Sequence, residues 1–338
     1  MDKYRLIIFG YDWEVYLAAY NDLINDPKIL YISTFRPKGL LGQIQRIHFN
    51  PRINNIIAIP FKEKWNYFFL RHIKKEQKTC FLILDNWLRM ECGIRLLPYL
   101  KEKYPEAPVI CYAQDLINTI IDVYSHKHID VDYIKQYADL FISYDAIDAQ
   151  KHGLLYHPTV FSPVTSKSSN HDLLYDLYFL GRDKGRLYSL VNICNNARNH
   201  GLRCKFIMLE IAPKQRIPCD GIVYLNTEIS YQQNLEYCAQ SKCIIELLQP
   251  NAGSPTFRTW EAIVLNKKLL TNNANIRSTE IYDKRYISFF NDERNIDWEF
   301  IKSEDAFPKQ KNPYQEKIKP IKLIQFIEKQ LQIQIEHT

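Results

Sequence analysis

The stretch Cys243–Asn273, CIIELLQPNAGSPTFRTWEAIVLNKKLLTNN, is the part of this sequence that says most about its fold. Its first residues, Cys243–Leu248, are an apolar run typical of a buried strand, and a polar loop with one Gly follows and ends on Pro255. The pattern then predicts a helix from about Thr256 and a second strand over Lys268–Thr271. Strand, glycine loop, helix and strand form a βαβ unit, which binds ligands where the loop meets the helix N-terminus.

Strand-like and helix-like segments alternate on both sides of this stretch. The other predicted strands are Arg5–Phe9, Ile29–Ser33, Ile56–Ile59, Phe81–Leu84, Val109–Tyr112, Leu140–Ser143, Leu177–Leu180, Lys205–Leu209 and Ile222–Leu225. The other predicted helices are Trp13–Leu23, Lys64–Lys75, Glu91–Lys103, Leu187–Asn199, Tyr231–Ala239 and Gln315–Ile333. Such alternation is typical of the α/β class, in which helices cover both faces of a parallel sheet.

The length of 338 residues favours two domains. Two Pro and a Ser-rich end make Gly153–Asn170 the predicted linker, so we expect one domain over 1–165 and a second over 166–313. We expect 314–338 to supply a C-terminal helix that packs on the body. Its apolar residues at helical spacing are Ile318, Ile321, Ile324 and Ile327. Two Rossmann-like domains facing across a cleft would hold ligands at the carboxyl ends of their strands.

Composition excludes several classes of protein. Apolar residues make up 46% of the chain and charged residues 24%, which is ordinary for a globular protein. No apolar run approaches the roughly 20 residues that span a bilayer, and the N-terminus does not resemble a signal peptide, so we expect a cytoplasmic protein. The net charge of +6 permits an anionic ligand or a membrane surface but does not indicate nucleic acid. The 8 Cys include no CxxC pair, which argues against a zinc site and a redox motif. We expect no disulfide framework in a chain of this size without an export signal.

The loop and helix of the opening stretch carry groups suited to a nucleotide sugar. Backbone amides over Ser254–Phe257 can bind an anion at the helix N-terminus, and Gly253 permits close approach. Arg258 adds a planar cation suited to phosphate, and the carboxylate of Glu261 can accept two ribose hydroxyls. The structural alternative is a capped helix, beginning at Thr256, with an acidic residue favourable to its dipole. The coincidence of these groups favours a nucleotide-sugar pocket.

A second basic loop lies within LYFLGRDKGRLYSLV, where a predicted strand leads through residues 181–186 into a helix. Three cations and two glycines among these six residues suit a diphosphate. The loop matches neither GxxxxGK[ST] nor GxGxxG, and basic loops are common on protein surfaces. The residues predicted to contact phosphate are Gly181, Arg182, Lys184 and Arg186.

GRDKGR and the block TFRTWEAIVLNKKLLTNN together resemble the C-terminal half of GT-B glycosyltransferases, over roughly residues 175–275. The block is similar to the donor-binding helix of that family and the strand after it, whereas the first half of the chain matches in architecture alone. The resemblance implies that Glu261 holds the ribose of a nucleotide-diphosphate sugar, with Gly181, Arg182 and Gly253–Thr256 near the diphosphate. It also implies that no metal or other cofactor is needed, because Arg and Lys neutralise the leaving diphosphate.

The stereochemistry of transfer stays open. Many retaining members of the family carry Glu-x7-Glu, whose first Glu touches the donor sugar. Counting back from Glu261 places Gly253 at that position, and the acidic Glu246 belongs to the preceding strand.

An inverting enzyme needs a base that deprotonates the acceptor hydroxyl. Acidic residues follow the ends of predicted strands in the first half, at Asp12, Asp85, Asp115 and Asp145. Asp12 comes directly after Gly10-Tyr11 and ranks first. For each of them, a turn or helix-cap role is the structural alternative.

The segment His126-Lys127-His128-Ile129-Asp130-Val131-Asp132 has the alternation of a metal-binding strand. Its Asp-Val-Asp also resembles the DxD that binds metal in the other major glycosyltransferase fold. Tyr133 onward has helical spacing, however, so we favour Asp130 or Asp132 as an N-cap and predict no metal site.

The segment Lys62–Lys78 mixes cations with Trp65, Tyr67, Phe68 and Phe69. It could lie on an anionic membrane surface near a lipid-linked acceptor, or cover a sheet with a solvated basic face outward.

The sequence therefore predicts a glycosyltransferase, hexosyltransferase-like, that uses a nucleotide-diphosphate sugar. The first domain would hold a glycan acceptor and the second the donor. The resemblance adds a lipid-linked acceptor in bacterial capsule or lipopolysaccharide synthesis, with peripheral contact to the inner membrane. The alternatives are a nucleotide-sugar epimerase on the same fold and a glycosyltransferase-like binding protein without turnover.

Overall fold

The computed structural model describes residues 4–33, 39–50, 53, 56–57, 59–71, 73, 78–124, 129–164, 172–249, 252–303 and 312–336. The chain divides into two compact units, the first formed by Met1–Pro158 with Pro320–Thr338 and the second by Thr159–Lys319. The domain boundary predicted at residue 165 lies outside the described residues.

The first unit is built on a parallel sheet of six strands in the order β2-β1-β3-β4-β5-β6. The strands are β1 (Arg5–Phe9), β2 (Leu30–Ile32), β3 (Thr79–Leu84), β4 (Val109–Ala113), β5 (Leu140–Ser143) and β6 (Leu155–Tyr156). Every residue of β3, β4 and β5 is buried, as continuous apolar strands require when helices cover both faces of a sheet.

Nine helices of the described residues precede the second unit. They are α1 (Glu14–Ala19), α2 (Asn21–Ile24), α3 (Leu40–His48), α4 (Trp65–Leu70), α5 (Asp85–Leu88), α6 (Glu91–Lys103), α7 (Ile117–Ile121), α8 (Val131–Tyr137) and α9 (Ala146–His152). The strand predicted over Ile56–Ile59 is wrong, because Ile56 and Ile57 lie in a turn with large exposed fractions. Helix α3 was not predicted from the sequence.

The second unit has its own parallel six-stranded sheet, in the order β12-β11-β10-β7-β8-β9. Its strands are β7 (Tyr175–Arg182), β8 (Cys204–Leu209), β9 (Ile222–Leu225), β10 (Ser241–Glu246), β11 (Lys268–Thr271) and β12 (Ile287–Phe289). Its helices are α10 (Leu187–Asn199), α11 (Tyr231–Ala239), α12 (Phe257–Val264) and α13 (Trp298–Lys302). A separate apolar core packs between this sheet and its helices.

The last helix, α14 (Pro320–Glu336), belongs to the first unit, where it packs against α2 and β5. Leu323, Ile324 and Ile327 are buried, whereas Ile321 is 45% exposed. The sequence spacing therefore gave the right helix but placed Ile321 on the wrong face. Single 3₁₀ turns occur at Lys62–Lys64, Asp122–Tyr124, Pro213–Gln215, Ala274–Ser278, Glu293–Asn295 and Pro313–Glu316.

Each sheet has one point where the strand order reverses, between β1 and β3 in the first unit and between β7 and β10 in the second. Chains leave the two neighbouring strands in opposite directions there, which opens a crevice at the carboxyl edge of the sheet. The predicted α/β class with two Rossmann-like sheets is confirmed. No helix of the described ranges is long and apolar enough to cross a bilayer.

Candidate functional site

A cleft of about 440 Å³ opens at the carboxyl edge of the second sheet, beside the reversal between β7 and β10. Three chain segments form its walls: the loop after β7 with the start of α10, the loop after β10, and the residues after β11. The lining residues are Lys184, Gly185, Arg186, Ser189, Leu247, Leu248, Gln249, Ala252, Asn272, Asn273, Ala274 and Asn275. The structure thus brings Lys184 and Arg186 of the basic loop to the loop of the opening stretch.

The basic loop turns sharply between β7 and α10. Asp183 Oδ1 accepts from the backbone amides of Arg186 and Leu187, each at 2.8 Å, and so caps the start of the helix. Lys184 and Gly185 have φ of 46° and 80°, a left-handed backbone that suits Gly but is uncommon for Lys. The turn directs Lys184 to the cleft, where its Nζ donates to Gln249 Oε1 at 2.9 Å.

Arg186 fastens the basic loop to the end of β10. Its guanidinium donates to the backbone carbonyls of Leu247 (2.6 Å), Arg182 (2.7 Å) and Asp183 (3.1 Å). Burial, together with the charge of Arg258, lowers the pKa of Arg186 below its ordinary value, although Asp183 opposes this. The guanidinium of Arg186 contacts carbonyl oxygens and no carboxylate in the described part of the chain, so this wall of the cleft favours an anion.

An asparagine-rich segment forms the opposite wall. Asn272 Oδ1 accepts from the backbone amide of Leu248 at 2.8 Å, and Asn275 Nδ2 donates to the carbonyl of Gly253 at 3.0 Å. Asn273 Oδ1 accepts from the amide of Asn275 at 3.0 Å, which fixes its Nδ2 as a donor. That Nδ2 is buried and has no partner in the described part of the chain. Leaving a buried donor unpaired costs about 1–3 kcal/mol, which a ligand acceptor would recover.

Glu246, at the end of β10, organises the loop between the strand and α12. Its Oε1 accepts from the Thr256 amide (2.8 Å), the Thr256 hydroxyl (2.7 Å) and the Thr259 hydroxyl (2.8 Å). Its Oε2 accepts from the Thr271 hydroxyl at 2.7 Å, and the side chain is about 1% exposed. Sequence reasoning assigned Glu246 only to the strand. An acidic residue ending an apolar strand, before a loop bounded by Thr, was the available signal.

The predicted ribose and phosphate ligands Glu261 and Arg258 form an ion pair in which Glu261 is buried and Arg258 is partly exposed. Arg258 also donates to Asn234 Oδ1 and to the carbonyl of Leu180, both at 3.0 Å, while Asn234 Nδ2 donates to Glu261 Oε1 at 3.0 Å. Burial is the largest influence on the pKa of Arg258 and lowers it, but the charge of Glu261, together with smaller contributions from Cys238 and nearby Tyr side chains, leaves the pKa raised above its ordinary value. Both residues lie outside the cleft walls described above. A role for Glu261 in holding ribose stays a prediction.

Other predicted donor residues have mixed surroundings. Arg182 is half exposed and pairs with Glu210 (3.0 Å) and Glu228 (2.9 Å), away from the lining residues. Thr256 is the N-cap of α12, its Oγ1 accepting from the amide of Arg258 at 3.3 Å. Ser254 is buried.

A Cβ on Gly181 would lie 3.0 Å from the Phe179 ring and 3.2 Å from Arg186 NH2, so a larger residue there would crowd the Arg186 guanidinium.

A polar cluster occupies the corresponding edge of the first sheet. Tyr11 Oη donates to Asp85 Oδ1 at 2.6 Å, and the backbone amide of Gln114 donates to the same oxygen at 3.1 Å. Arg89 NH2 lies 3.3 Å from Asp85 Oδ2 and 2.6 Å from Asp115 Oδ2. Burial raises the pKa of Asp85 to about 6, although Arg89 and the Tyr11 hydrogen bond lower it. Arg89 therefore links a buried carboxylate with an elevated pKa to a partly exposed one.

Unsatisfied polar atoms and aromatic rings surround this cluster. The side-chain amide of Gln114 is buried, with neither its oxygen nor its nitrogen partnered among the residues described. Tyr11 stacks on Tyr16 with ring centroids 3.5 Å apart, and Trp13, 57% exposed, has its ring 5.5 Å from that of Tyr11. Aromatic faces beside polar groups suit a ligand that is apolar on one side and hydroxylated at its edges.

The remaining acidic candidates differ in surroundings. Asp12 is partly exposed, and its charge adds to the burial that raises the pKa of Tyr31. Asp145 is fully buried as the N-cap of α9, its Oδ1 accepting from the amides of Ile147 (2.9 Å) and Asp148 (3.0 Å). Asp12 has no hydrogen bond to Asp85 or Asp115 in the described residues.

The DxD-like segment is a helix cap. Asp130 Oδ1 accepts from the amide of Tyr133 at 2.9 Å at the start of α8, as the cap interpretation predicted. His126 and His128 lie outside the described residues. Within the described ranges no group of three or more His, Cys, Asp or Glu side chains could hold a metal ion.

Comparison with known proteins identifies the fold. No protein family and no curated protein matched the sequence. Several solved structures are similar to this chain. A UDP-forming α,α-trehalose-phosphate synthase from Burkholderia vietnamiensis matches with TM-score 0.52 and 10% identity, over 90% of this chain and 90% of that one. A putative UDP-N-acetylglucosamine 2-epimerase from Listeria monocytogenes matches with TM-score 0.50, 10% identity and 92% of each chain. The N-terminal domain of Candida albicans trehalose-6-phosphate phosphatase matches with TM-score 0.50, 11% identity, 94% of this chain and 91% of that one. These likenesses show the GT-B fold.

Proposed function

We propose that this protein is a glycosyltransferase that uses a nucleotide-diphosphate sugar, with the donor in the cleft of the second unit. The cations of that cleft carry the proposal. Lys184 contacts a neutral amide and Arg186 contacts backbone carbonyls, and in the described part of the chain neither forms a salt bridge with a carboxylate. Two cations without a carboxylate partner, beside a buried, unpaired amide donor, suit a diphosphate with an adjoining hydroxylated group.

The same cations suit transfer chemistry. Breaking the bond between the sugar and the diphosphate leaves negative charge on the leaving oxygens, which Lys184 and Arg186 would stabilise. The dipole of α10, whose N-terminus follows these residues, adds to that stabilisation. Fixed protein cations can perform this role without a metal, so we propose that none is required.

The polar cluster of the first unit is the proposed acceptor site. Asp115 is partly exposed and reaches solvent, while Asp85, buried behind Arg89, has a pKa near 6. Asp12, Asp85 and Asp115 stay the candidate bases, and the partial exposure of Asp115 favours it over the buried Asp85 as the group that meets the acceptor hydroxyl. The exposed ring of Trp13, which packs beside the buried Tyr11, would contact the apolar face of a sugar.

The resemblance to enzymes of capsule and lipopolysaccharide synthesis is the basis for proposing a lipid-linked glycan acceptor and peripheral contact with the inner membrane. An epimerase is the second candidate, because an epimerase and a trehalose-phosphate synthase match the chain about equally well. A non-catalytic nucleotide-sugar binding protein is the third.

The test is thermal unfolding with a panel of nucleoside diphosphates and nucleotide sugars. A donor at a hundredfold excess over its Kd should stabilise the protein by about 2.7 kcal/mol. Lys184→Ala should lose most of this, whereas Lys214→Ala, an exposed lysine outside the cleft, should retain it. Glu261→Gln tests whether this residue holds the ribose. It should disturb the fold less than Glu261→Ala, because Gln keeps an acceptor for Asn234 Nδ2.

Turnover separates the candidates. Release of nucleoside diphosphate that depends on an added glycan acceptor supports a transferase. A new isomer of the nucleotide sugar without acceptor supports the epimerase, and binding without either product supports the binding protein. No stabilisation by any nucleotide would refute the donor site.

A further inference from the structure

Helix α3 is amphipathic, but its apolar side chains face solvent and its buried side faces the protein. Leu40, Ile44 and Ile47 fall within an arc of about 60° on a helical wheel. Their exposed fractions are 73%, 47% and 54%, and that of the neighbouring Leu41 is 39%. The opposite face is turned inward and contains Gly42 and Gln45, both buried. We call Leu40, Leu41, Ile44 and Ile47 the α3 face.

Hydrogen bonds hold α3 in this orientation. Trp65 Nε1 donates to His48 Nδ1 at 2.8 Å, so the His48 proton lies on Nε2, which donates to the carbonyl of Pro60 at 2.7 Å. Trp65 itself is 6% exposed within the core of the first unit. The polar side of the helix is therefore tied to the protein, and its apolar side is left to solvent.

The residues after α3 extend the apolar surface. Ile56, Ile57 and Phe61 are 84%, 65% and 60% exposed. Pro60 contacts His48, so Phe61 lies beside the C-terminal end of α3, and Lys64 Nζ sits 4.6 Å from the Phe61 ring centroid. An exposed apolar surface of this length with cations at its edge is typical of a contact with a membrane or another protein.

The positive charge of the sequence is concentrated in the segment that contains this surface. Residues 36–78 contain ten Lys and Arg but only two acidic residues, a net charge of +8, whereas the whole chain carries +6. The remainder of the sequence is therefore slightly acidic, with a net charge of −2. Arg46 and Lys64 are exposed beside the apolar residues. Such a charge distribution matches an anionic surface.

We propose that the α3 face inserts into the headgroup region of an anionic phospholipid bilayer, with the exposed cations Arg46 and Lys64 contacting the lipid phosphates. Interfacial helices combine an apolar face with Lys and Arg around it, and here the apolar face is the one that points away from the protein. Of the aromatic residues that the sequence suggested for this role, Trp65 and Phe69 are buried in the core, whereas Tyr67 is 63% exposed. The proposal concerns binding and does not depend on the proposed transfer reaction.

The test is co-sedimentation of the full chain with vesicles of phosphatidylcholine alone or with 30% phosphatidylglycerol. Wild type should bind the anionic vesicles at least about tenfold more tightly than the neutral ones, and raised salt should weaken binding. Leu40→Ser/Ile44→Ser should reduce the partition coefficient at least about tenfold. Val123→Ser/Ile147→Ser is the matched control, since these aliphatic side chains of the first unit are 58% and 51% exposed and lie outside the segment.

Equal binding by the test and control variants, or equal binding to neutral and anionic vesicles, would overturn the proposal. So would a wild-type dimer in sedimentation velocity that binds no vesicles and that the test variant abolishes, because the α3 face would then contact a second copy. Hydrogen exchange on wild type provides a reading that needs no variant: anionic vesicles should slow exchange over residues 40–48, and unchanged exchange there contradicts insertion. Nucleotide binding is measured separately, so failure here leaves the donor site unaffected.

Discussion

Glu246 Oε1, at the end of β10, lies 2.8 Å from the Thr259 hydroxyl inside α12. The same oxygen accepts from the amide of Thr256, where the helix begins. One buried carboxylate therefore joins the strand to the helix and closes the loop between them. The position of that loop, which forms one wall of the cleft, depends on this side chain.

Replacing Glu246 with Ala should lower the free energy of unfolding by about 3 kcal/mol or more, because the Thr256 amide and the Thr hydroxyls lose a charged acceptor. Glu246→Gln, which keeps one acceptor oxygen, should cost less. Urea unfolding measures both. Glu236→Ala, an exposed acidic residue of α11, is the control and should change stability by less than about 0.5 kcal/mol. An equal loss in the control would show that Glu246 has no special role.

The elevated pKa of Asp85 should make stability depend on pH in a specific direction. The pKa is about 6 in the folded protein against 3.8 ordinarily, so the folded state binds the proton more tightly and the stabilising contribution exists at low pH. Relative to Asp85→Asn, which cannot ionise, wild type should lose about 2–3 kcal/mol between about pH 4 and pH 7. Chemical unfolding across this range tests it. Asp132→Asn, whose side chain is 90% exposed, should show a flat difference. A wild-type advantage that grows with pH would contradict the assignment.

Two variants of Lys184 should separate backbone strain from charge. Lys184→Gly relieves the left-handed φ of 46° and should raise the free energy of unfolding by up to about 1 kcal/mol. Lys184→Ala keeps that strain and should not stabilise. Both remove the charge, so calorimetric titration with a nucleoside diphosphate should show affinity weakened by about tenfold in each. Equal stability of the two variants would rule out strain at this turn.

The amide nitrogen of Asn273 should matter for binding more than for folding. Asn273→Asp retains the oxygen that accepts from Asn275 but replaces the buried unpaired donor with a second carboxylate oxygen. Nucleotide affinity should fall by at least about tenfold, because the substitution removes a hydrogen-bond donor to the ligand and its new negative charge repels a phosphate. Asn226→Asp, in an exposed loop of the same unit, should leave affinity unchanged. Unaltered affinity in Asn273→Asp would place the ligand elsewhere.

Gly93 should tolerate no larger residue. A Cβ there would lie 1.8 Å from the backbone oxygen of Trp87, so α5 and α6 would have to separate. The gain of about 1 kcal/mol in helix propensity from Gly93→Ala is too small to offset this clash, and we expect a net loss of about 3 kcal/mol or more. Thermal unfolding of Gly93→Ala beside Glu102→Ala, an exposed position of the same helix, measures the effect. A stabilised Gly93→Ala would contradict the close approach.

The regular elements followed closely from the sequence where apolar periodicity was strong. Helix α10 and strand β11 have the bounds that the spacing predicts, and Thr256 caps α12 where the helix was expected to begin. Helix α3 escaped notice because a helix is inferred from an apolar face that packs on a core, whereas the apolar face here is exposed. The strand predicted over Ile56–Ile59 was wrong for a related reason, because an apolar run alone does not show that its side chains are buried.

The site was only partly predictable. The basic loop was identified from its cations and glycines, which are local features. The roles of Glu246 and Asn273 depend on partners from other segments of the chain, such as Thr271 and Asn275. Likewise, no local pattern indicated that Glu261 and Arg258 would pair with each other or that Arg89 would join Asp85 to Asp115.

The membership of α14 in the first unit affects the order in which the protein can be completed during translation. Leu323, Ile324 and Ile327 fill that unit from the far end of the chain, beyond the whole of the second unit. A ribosome-bound chain therefore exposes the complementary surface on α2 and β5 while residues 159–319 are being made. The unit whose synthesis begins first is the last to reach its final packing.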